Sequence, residues 1–461
     1  MANRIWIDVE DLFAWTGRPT GIQRVEFELC RSLAQSKDRV FFVRHDAKLR
    51  RLTAIPWEAV EVQYDSLSNG DHDSLSKGDR KVRGKSVFRA AKKLIDIFPP
   101  SLRNIASLQI EVFLGLGRVA RAAMARARLL TQAVRSKITP LEINDYFDVA
   151  AMPGDTVAVL GLGWSTDYIS YIEQAVREKR LRFAVLIYDI GPLRRPEWFP
   201  NGAAEYFRTW FDKTLSLADA ILTISSATAA DMAAYTRDRG MVLRAVPTPI
   251  PLGTGFTTRG APSPRALSSR LPPPNSYALI VSRIEVRKNH ALLFRVWRRL
   301  LDDMPATSVP TLVFAGRIGW LVSDLMQQLR NCDFLCGKVI HIESPTDEEL
   351  AALYAGCLFT LFPSFYEGWG LPVTESHAFG RPSIISNTTS LPEAGGSLAR
   401  YIDPDNTTEA YRVIRETIED RTGLWEWRNR VQLEFKPVEW SQSARAVLQA
   451  LDSAPVISHP R

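Results

Sequence analysis

Cysteine is scarce in this chain: four residues in 461, at positions 30, 332, 336 and 357. Three residues separate Cys332 from Cys336, but no second cysteine or histidine pair stands beside them to complete a zinc site. Scattered thiols of this kind fit reduced cysteines in the cytoplasm rather than a disulfide framework. No run of 18 apolar residues occurs, which argues against a membrane-spanning helix. The opening MANRIWIDVE enters a strand at once and lacks the design of a signal peptide. The expected location is therefore cytoplasmic.

Positive charge is present but unevenly spread. The formal net charge is +7, yet residues 77–137 hold 15 Lys/Arg against 3 Asp/Glu, about +12, which leaves the rest near −5. Residues 87–98 and 101–137 read as helices, the second mixing Leu108, Val112, Phe113 and Leu116 with Arg118, Arg121, Arg126 and Arg128. Such a basic, partly apolar pair can lie on an anionic leaflet, each cation contributing on the order of 1 kcal/mol. It can equally form a solvated hairpin capping its domain. Stacking aromatics are sparse there, so nucleic acid is not an expected partner.

At 461 residues and 46% hydrophobic, the chain can bury two cores. Apolar strand-like runs at 5–9, 40–43, 156–160, 182–190 and 220–224 alternate with amphipathic stretches such as 24–33 and 167–176. A second series, 277–281, 311–315, 339–342, 358–362 and 383–386, follows a Pro-, Ser- and Arg-rich segment at 258–276. This alternation predicts α/β architecture, two doubly wound Rossmann-like domains with a cleft at the strand carboxyl ends. The expected divisions are an N-terminal domain over 1–257 carrying the basic insertion, a linker over 258–276, a C-terminal domain over 277–436 and a closing helical segment over 437–461.

The most informative stretch is FPSFYEGWGLPVTESHAFG at 362–380. An apolar strand ends at Pro363, Glu367-Gly368-Trp369-Gly370 forms a loop, and Pro372 fits the first position of a helix that stops at Gly380. A strand, a glycine loop and a helix N-terminus in this order make an anion site. Glu367 and Glu375 flank it and, as carboxylates, are suited to hold hydroxyls on either side of a phosphate. Spacing alone leaves two readings, a sugar–diphosphate–ribose site or a loop with two solvated glutamates. Upstream, Arg283 follows the strand at 277–281 and Lys288 stands five residues on. An arginine fork and a mobile lysine charge can neutralise a leaving diphosphate. Two lookalikes are discounted: Asp71-His72-Asp73 lies in a polar loop, and Asp403-Pro404-Asp405 is turn chemistry.

The 362–380 string resembles the E-x7-E motif of the retaining glycosyltransferases of family GT4, and Ser282-Arg283 with Arg287-Lys288-Asn289 is similar to that family's phosphate-binding segment. GRPTGIQR at 17–24 is similar to its small-Gly-x-Gln loop, in the TGIxRV form found in mannosyltransferase-like enzymes of O-antigen and polysaccharide assembly. The resemblance implies a GT-B fold and a retaining hexosyl transfer that needs no metal and no cofactor. It implies that Glu367 contacts the transferred sugar, that Glu375 holds the ribose, and that Gly21, Gly368, Trp369, Gly370 and Leu371 border the donor. Arg317 and His341 would flank the base and ribose, with Gln23, Arg24 and Tyr188 toward the acceptor. Where the family often has His-Asp, this chain has Tyr188-Asp189, so Asp189 is left to orient the sugar with Glu367 while Arg283 and Lys288 hold the leaving group. Ser225 and Ser226 fall where the family commonly has serines, and a helix cap explains them as well. The closing helix would cross back to the N-terminal domain. The implied donor is GDP-mannose, with dTDP-rhamnose or a UDP-sugar next, and the acceptor a saccharide or polyprenyl-linked saccharide at the inner face of the membrane. A sugar-nucleotide epimerase or a non-catalytic sugar-nucleotide-binding scaffold are the alternatives on the same architecture.

Overall fold

The computed structural model describes residues 3–46, 51–68, 146–255 and 270–454. The basic run 77–137, the Asp71-His72-Asp73 string and most of the 258–276 linker lie outside the described residues. The strands are β1 (Ile5–Asp8), β2 (Val40–Asp46), β3 (Arg51–Ile55), β4 (Thr156–Val159), β5 (Arg182–Ile187), β6 (Ala220–Thr223), β7 (Thr248–Pro249), β8 (Tyr277–Val281), β9 (Thr311–Ala315), β10 (Val339–Ile342), β11 (Thr360–Phe362), β12 (Ser383–Ser386) and β13 (Arg400–Ile402).

The chain divides into two compact units, one of Met1–Ile7, Gly21–Val40 and Met152–Arg461, the other of Asp8–Thr20 and Phe41–Ala151. In the smaller unit β2 and β3 pair antiparallel, Phe42 opposite Ile55. Phe42 also meets the Trp57 ring at 5.1 Å on helix Trp57–Ser68, and Arg51 pairs with Asp148 at 3.2 Å.

The larger unit holds two sheets. In the first the strand order is β1-β4-β5-β6-β7, parallel from β4 onward. In the second it is β10-β9-β8-β11-β12-β13, parallel throughout. Successive residues of a strand face opposite sides, and β8 uses both: Ala278 and Ile280 enter a core with Trp297 and Leu300, while Tyr277 and Leu279 enter one with Leu353 and Tyr354. Helices on both faces are why these strands read as continuous apolar runs. The order of the second sheet reverses between β8 and β11, and ligands of open α/β sheets bind at that switch point.

The edge strands β3, β7 and β13 extend the pattern beyond the runs read from the sequence. Helix Leu371–Ala378 begins one residue earlier than its proline suggests, because Gly370, at φ +107°, takes the cap and leaves Pro372 in the second helical position.

The last helix, Trp440–Ser453, packs on helix Gly21–Leu33 and on β6. Arg182 of β5 donates to the carbonyls of Leu451 (2.8 Å) and Ala454 (3.1 Å), satisfying orphan acceptors at the helix C-terminus. Trp440 lies over Gly253 so closely that a β-carbon there would fall inside the indole. Gly253→Ala should therefore lower stability by about 1–3 kcal/mol through overpacking, seen as a lower thermal midpoint. An unchanged midpoint would show that this helix is not docked as described.

Candidate functional site

The loops at the carboxyl ends of β8, β9, β10 and β11 build the site. After β8, residues 282–289 turn through the one-turn helix Val286–Lys288, and this loop is pinned to the one after β9: Ile284 N donates to Arg317 O (2.8 Å) and Gly319 N to Ile284 O (2.7 Å). Gly316, at φ +150°, lies against the Ser282 carbonyl where no side chain would fit.

After β11, Glu367 is buried. Its Oε1 accepts from Lys288 Nζ at 2.5 Å and its Oε2 from Arg287 Nη1 at 3.1 Å. Arg287 also donates to Glu285 and to the Tyr366 carbonyl. Burial by itself would raise the Glu367 carboxyl, but the Lys288 and Arg287 charges reverse this and hold it below the ordinary carboxylate range. Burial pushes the Lys288 ammonium down, only partly opposed by Glu367. Arg287 is opposed by burial, yet Glu367, Glu285 and Asp189 carry it above its ordinary value. Lys288 also stands 5.0 Å from the Phe362 ring centroid. Arg283, half-buried, makes no ion pair among the described residues; its guanidinium lies 5.5 Å from the Trp320 ring centroid.

The glycine loop is held from beneath by hydroxyls. Ser390 donates to the carbonyls of Glu367 (2.9 Å) and Trp369 (3.0 Å), and Glu367 N donates to Thr389 Oγ1 (3.1 Å). Gly368 lies directly on the Tyr188 carbonyl and Asp189, so a side chain there would drive the loop off the β5 end. Asp189 Oδ1 accepts from Gly191 N at 2.9 Å, which fixes its carboxylate at the start of the following helix. Tyr188 is buried, its hydroxyl donating to Leu160 O at 2.7 Å.

The other glycine loop meets the first. Gly21 opens helix Gly21–Leu33, and a β-carbon there would lie 3.2 Å from Leu371 Cδ1. Gln23 is fully buried within that helix. Arg24 reaches Asp347 at 2.5 Å and Glu375 at 3.8 Å. Glu375 accepts from Tyr354 Oη at 2.7 Å. Burial raises its carboxyl, and Arg24 and the tyrosine oppose that only in part. His341, within β10, has its Nε2 2.8 Å from Gly316 O, and Arg317, on the loop after β9, donates through Nε to Ser344 Oγ at 3.0 Å. Asp403 and Asp405 form a turn in which Asp405 N donates to Asp403 Oδ1.

The structure thus brings Lys288, Arg287 and Glu367 together with Asp189 against the glycine loop, places Arg283 on the neighbouring loop over Trp320, and sets Gly21 and Arg24 against Leu371 and Glu375 of the adjoining helix. It adds residues the sequence reading gave no role. Arg287 lay within the quoted motif, but only geometry shows it clamping Glu367. Glu393 accepts from the backbone N–H groups of Ser226 (2.9 Å) and Ala227 (2.7 Å), and Ser225 caps the same helix through Thr228 N. Tyr366 donates to Asp231 at 2.5 Å. The Glu393 and Tyr366 pairings are far apart in sequence and carry no local signal.

With this geometry established, comparison with known proteins adds the following. Residues 268–433 match the family model for glycosyl transferases group 1. The O-antigen chain mannosyltransferase B of Escherichia coli is 28% identical over 296 residues, 62% of this chain and 74% of that protein. The serotype-specific mannosyltransferase WbdA of Escherichia coli is 28% identical over 278 residues, 58% of this chain but only 33% of WbdA, so the match spans about a third of that relative. Among solved structures, Anabaena Alr3699/HepE in complex with UDP-glucose superposes with a TM-score of 0.57 at 14% identity, covering 98% of this chain and 100% of that one. The likeness is of fold, and the fold is GT-B.

Glu375 gives a pH test. A carboxyl whose folded pKa lies above its unfolded value favours the fold at low pH and loses that contribution as pH rises through the folded value. Glu375→Gln lacks this dependence. The melting temperature of the variant minus that of the wild type should therefore climb as pH rises above the ordinary carboxylate range. A constant difference would contradict the buried placement of Glu375.

Proposed function

We propose that this chain, which has a GT-B fold and matches the glycosyl transferases group 1 model over residues 268–433, is a retaining glycosyltransferase of O-antigen or surface polysaccharide synthesis. The proposed reaction moves mannose from GDP-mannose to a saccharide or lipid-linked saccharide. The observation that carries this reading is the buried Lys288–Glu367 pair at the β8/β11 switch point, facing Asp189 across the glycine loop. The mannosyltransferase relatives support the choice of sugar.

In the proposed step the bond from the anomeric carbon to the β-phosphate oxygen breaks. The acceptor oxygen bonds to that carbon on the same face, and its proton passes to an oxygen of the departing diphosphate. Arg283 and Lys288 stabilise the charge that grows on the leaving group, which is where preorganised cations lower a barrier most. Glu367 and Asp189 hold sugar hydroxyls, and Glu375 the ribose. With these cations in place the proposal assigns no role to a metal or cofactor. No helix among the described residues is long and apolar enough to cross a membrane, and a peripheral position at the inner face of the cytoplasmic membrane suits the proposed acceptor.

Arg283→Ala, Lys288→Ala and Glu367→Ala should each slow GDP release from GDP-mannose on the order of a hundredfold, the effect of losing about 3 kcal/mol of transition-state stabilisation. Arg283→Ala should do so with little change in melting temperature, because no ion pair is broken. The other two strand a buried charge and should also destabilise. Among GDP-mannose, dTDP-rhamnose and UDP-glucose, GDP-mannose should raise the melting temperature of the wild type most. Near-wild-type turnover in all three variants would overturn the assignment, and a larger shift with another nucleotide sugar would reassign the donor.

A further inference from the structure

Arg283 is held by a shelf that belongs to the next loop. Its stem crosses Gly319, where a β-carbon would come within 2.9 Å of both Cγ and Cδ, and its guanidinium lies over the Trp320 ring at 5.5 Å. A guanidinium over an indole is a favourable stack that fixes the plane of the fork. Trp320 has a second engagement. Its Nε1–H donates to the Trp198 carbonyl at 2.8 Å, and its ring meets Phe199 at 6.4 Å. Trp198 belongs to the one-turn helix Pro196–Trp198, on the segment that follows Asp189 at the end of β5.

The same short segment touches the Glu367 loop as well. Trp198 stacks on Phe365, centroids 5.1 Å apart and planes 19° from parallel, with Arg195 on the indole at 5.1 Å. Phe365 N in turn donates to Arg287 O at 3.0 Å, two residues before Glu367. Residues 198–199, carried by the first sheet, therefore straddle two loops of the second sheet, one holding the leaving-group arginine and the other the sugar-facing carboxylate.

We propose that Trp320 is a positioning residue that couples docking of the 195–199 segment to the orientation of Arg283. With the indole anchored on the Trp198 carbonyl, the guanidinium is aimed at the diphosphate. Without that anchor the shelf swings and Arg283 loses its aim, although the charge is still present. The proposal rests on the reading that Arg283 meets the donor diphosphate.

Trp320→Phe keeps an aromatic face under Arg283 and removes only the Nε1–H donor, whereas Trp320→Leu removes both. Turnover of GDP-mannose, read as GDP released, should fall on the order of tenfold in Trp320→Phe, the size of one hydrogen bond. Its affinity for GDP should stay within about threefold of wild type. Trp320→Leu should lose both turnover and GDP affinity. In the ligand-free protein, hydrogen exchange across 195–199 should speed up in Trp320→Phe. Wild-type turnover in Trp320→Phe, a GDP affinity that falls in step with turnover, or unchanged ligand-free exchange would each overturn the proposal. Arg283→Ala separates the two levels: if it binds GDP as tightly as wild type, the donor-site reading fails, and the ligand-free exchange still judges the coupling alone.

Discussion

A carboxylate held between two cations in a place largely closed to water is what the rest of this structure depends on. Removing a charge from water costs several kcal/mol, and attraction repays that only when the geometry is good and the remaining hydrogen-bonding positions are filled. Both Glu367 oxygens are engaged, one by Lys288 and one by Arg287, and Arg287 is braced in turn by Glu285. Asp189 adds a third carboxylate whose charge acts on Arg287. A ligand that brings further negative charge therefore needs a cation not already committed, and Arg283, with no ion pair among the described residues, is positioned to supply it. Under the proposed reading, Arg283 supplies the charge that a diphosphate requires.

Glycine decides how closely the parts approach. Gly368 rests on the Tyr188 carbonyl and Gly21 faces the Leu371 side chain, so the absence of a β-carbon at each glycine lets turns from different sheets meet closely. The helix N-terminus at Leu371 then presents its N–H groups to the same space. Across this meeting, Glu393 caps the helix that starts at Ser226, and Tyr366 bonds Asp231. A carboxylate at a helix N-terminus is favourable toward both the orphan N–H groups and the dipole. Contacts between the two sheets thus combine these polar pairings with the aromatic stacking of Trp198 on Phe365.

The architecture was legible wherever burial on both faces wrote an apolar run into the chain, as at Tyr277–Val281 and Ser383–Ser386. Edge strands such as Arg51–Ile55 and Arg400–Ile402 escaped because one flank is unpaired and their residues are mixed in polarity. Pro372 misled by one position, since a proline marks the first turn but not which residue caps it. Arg283 and Lys288 were marked by likeness to a phosphate-binding segment, while the strand, loop and helix around Glu367 were legible from their order. The positions of Gln23 and Arg24 were not: one is packed inside its helix, and the other extends to Asp347, 323 residues away. Distance in sequence, 122 residues, also hid the pairing of Trp198 with Trp320, which meet only because two sheets set their loops together.

The most direct measurement is a crystal structure of the protein with an intact, unreactive analogue of GDP-mannose. The diphosphate should lie within hydrogen-bonding reach, about 3 Å, of Arg283 and Lys288, with a ribose hydroxyl on Glu375 and the sugar against Glu367 and Asp189. A nucleotide bound elsewhere, or a diphosphate out of reach of both cations, would contradict the central claim.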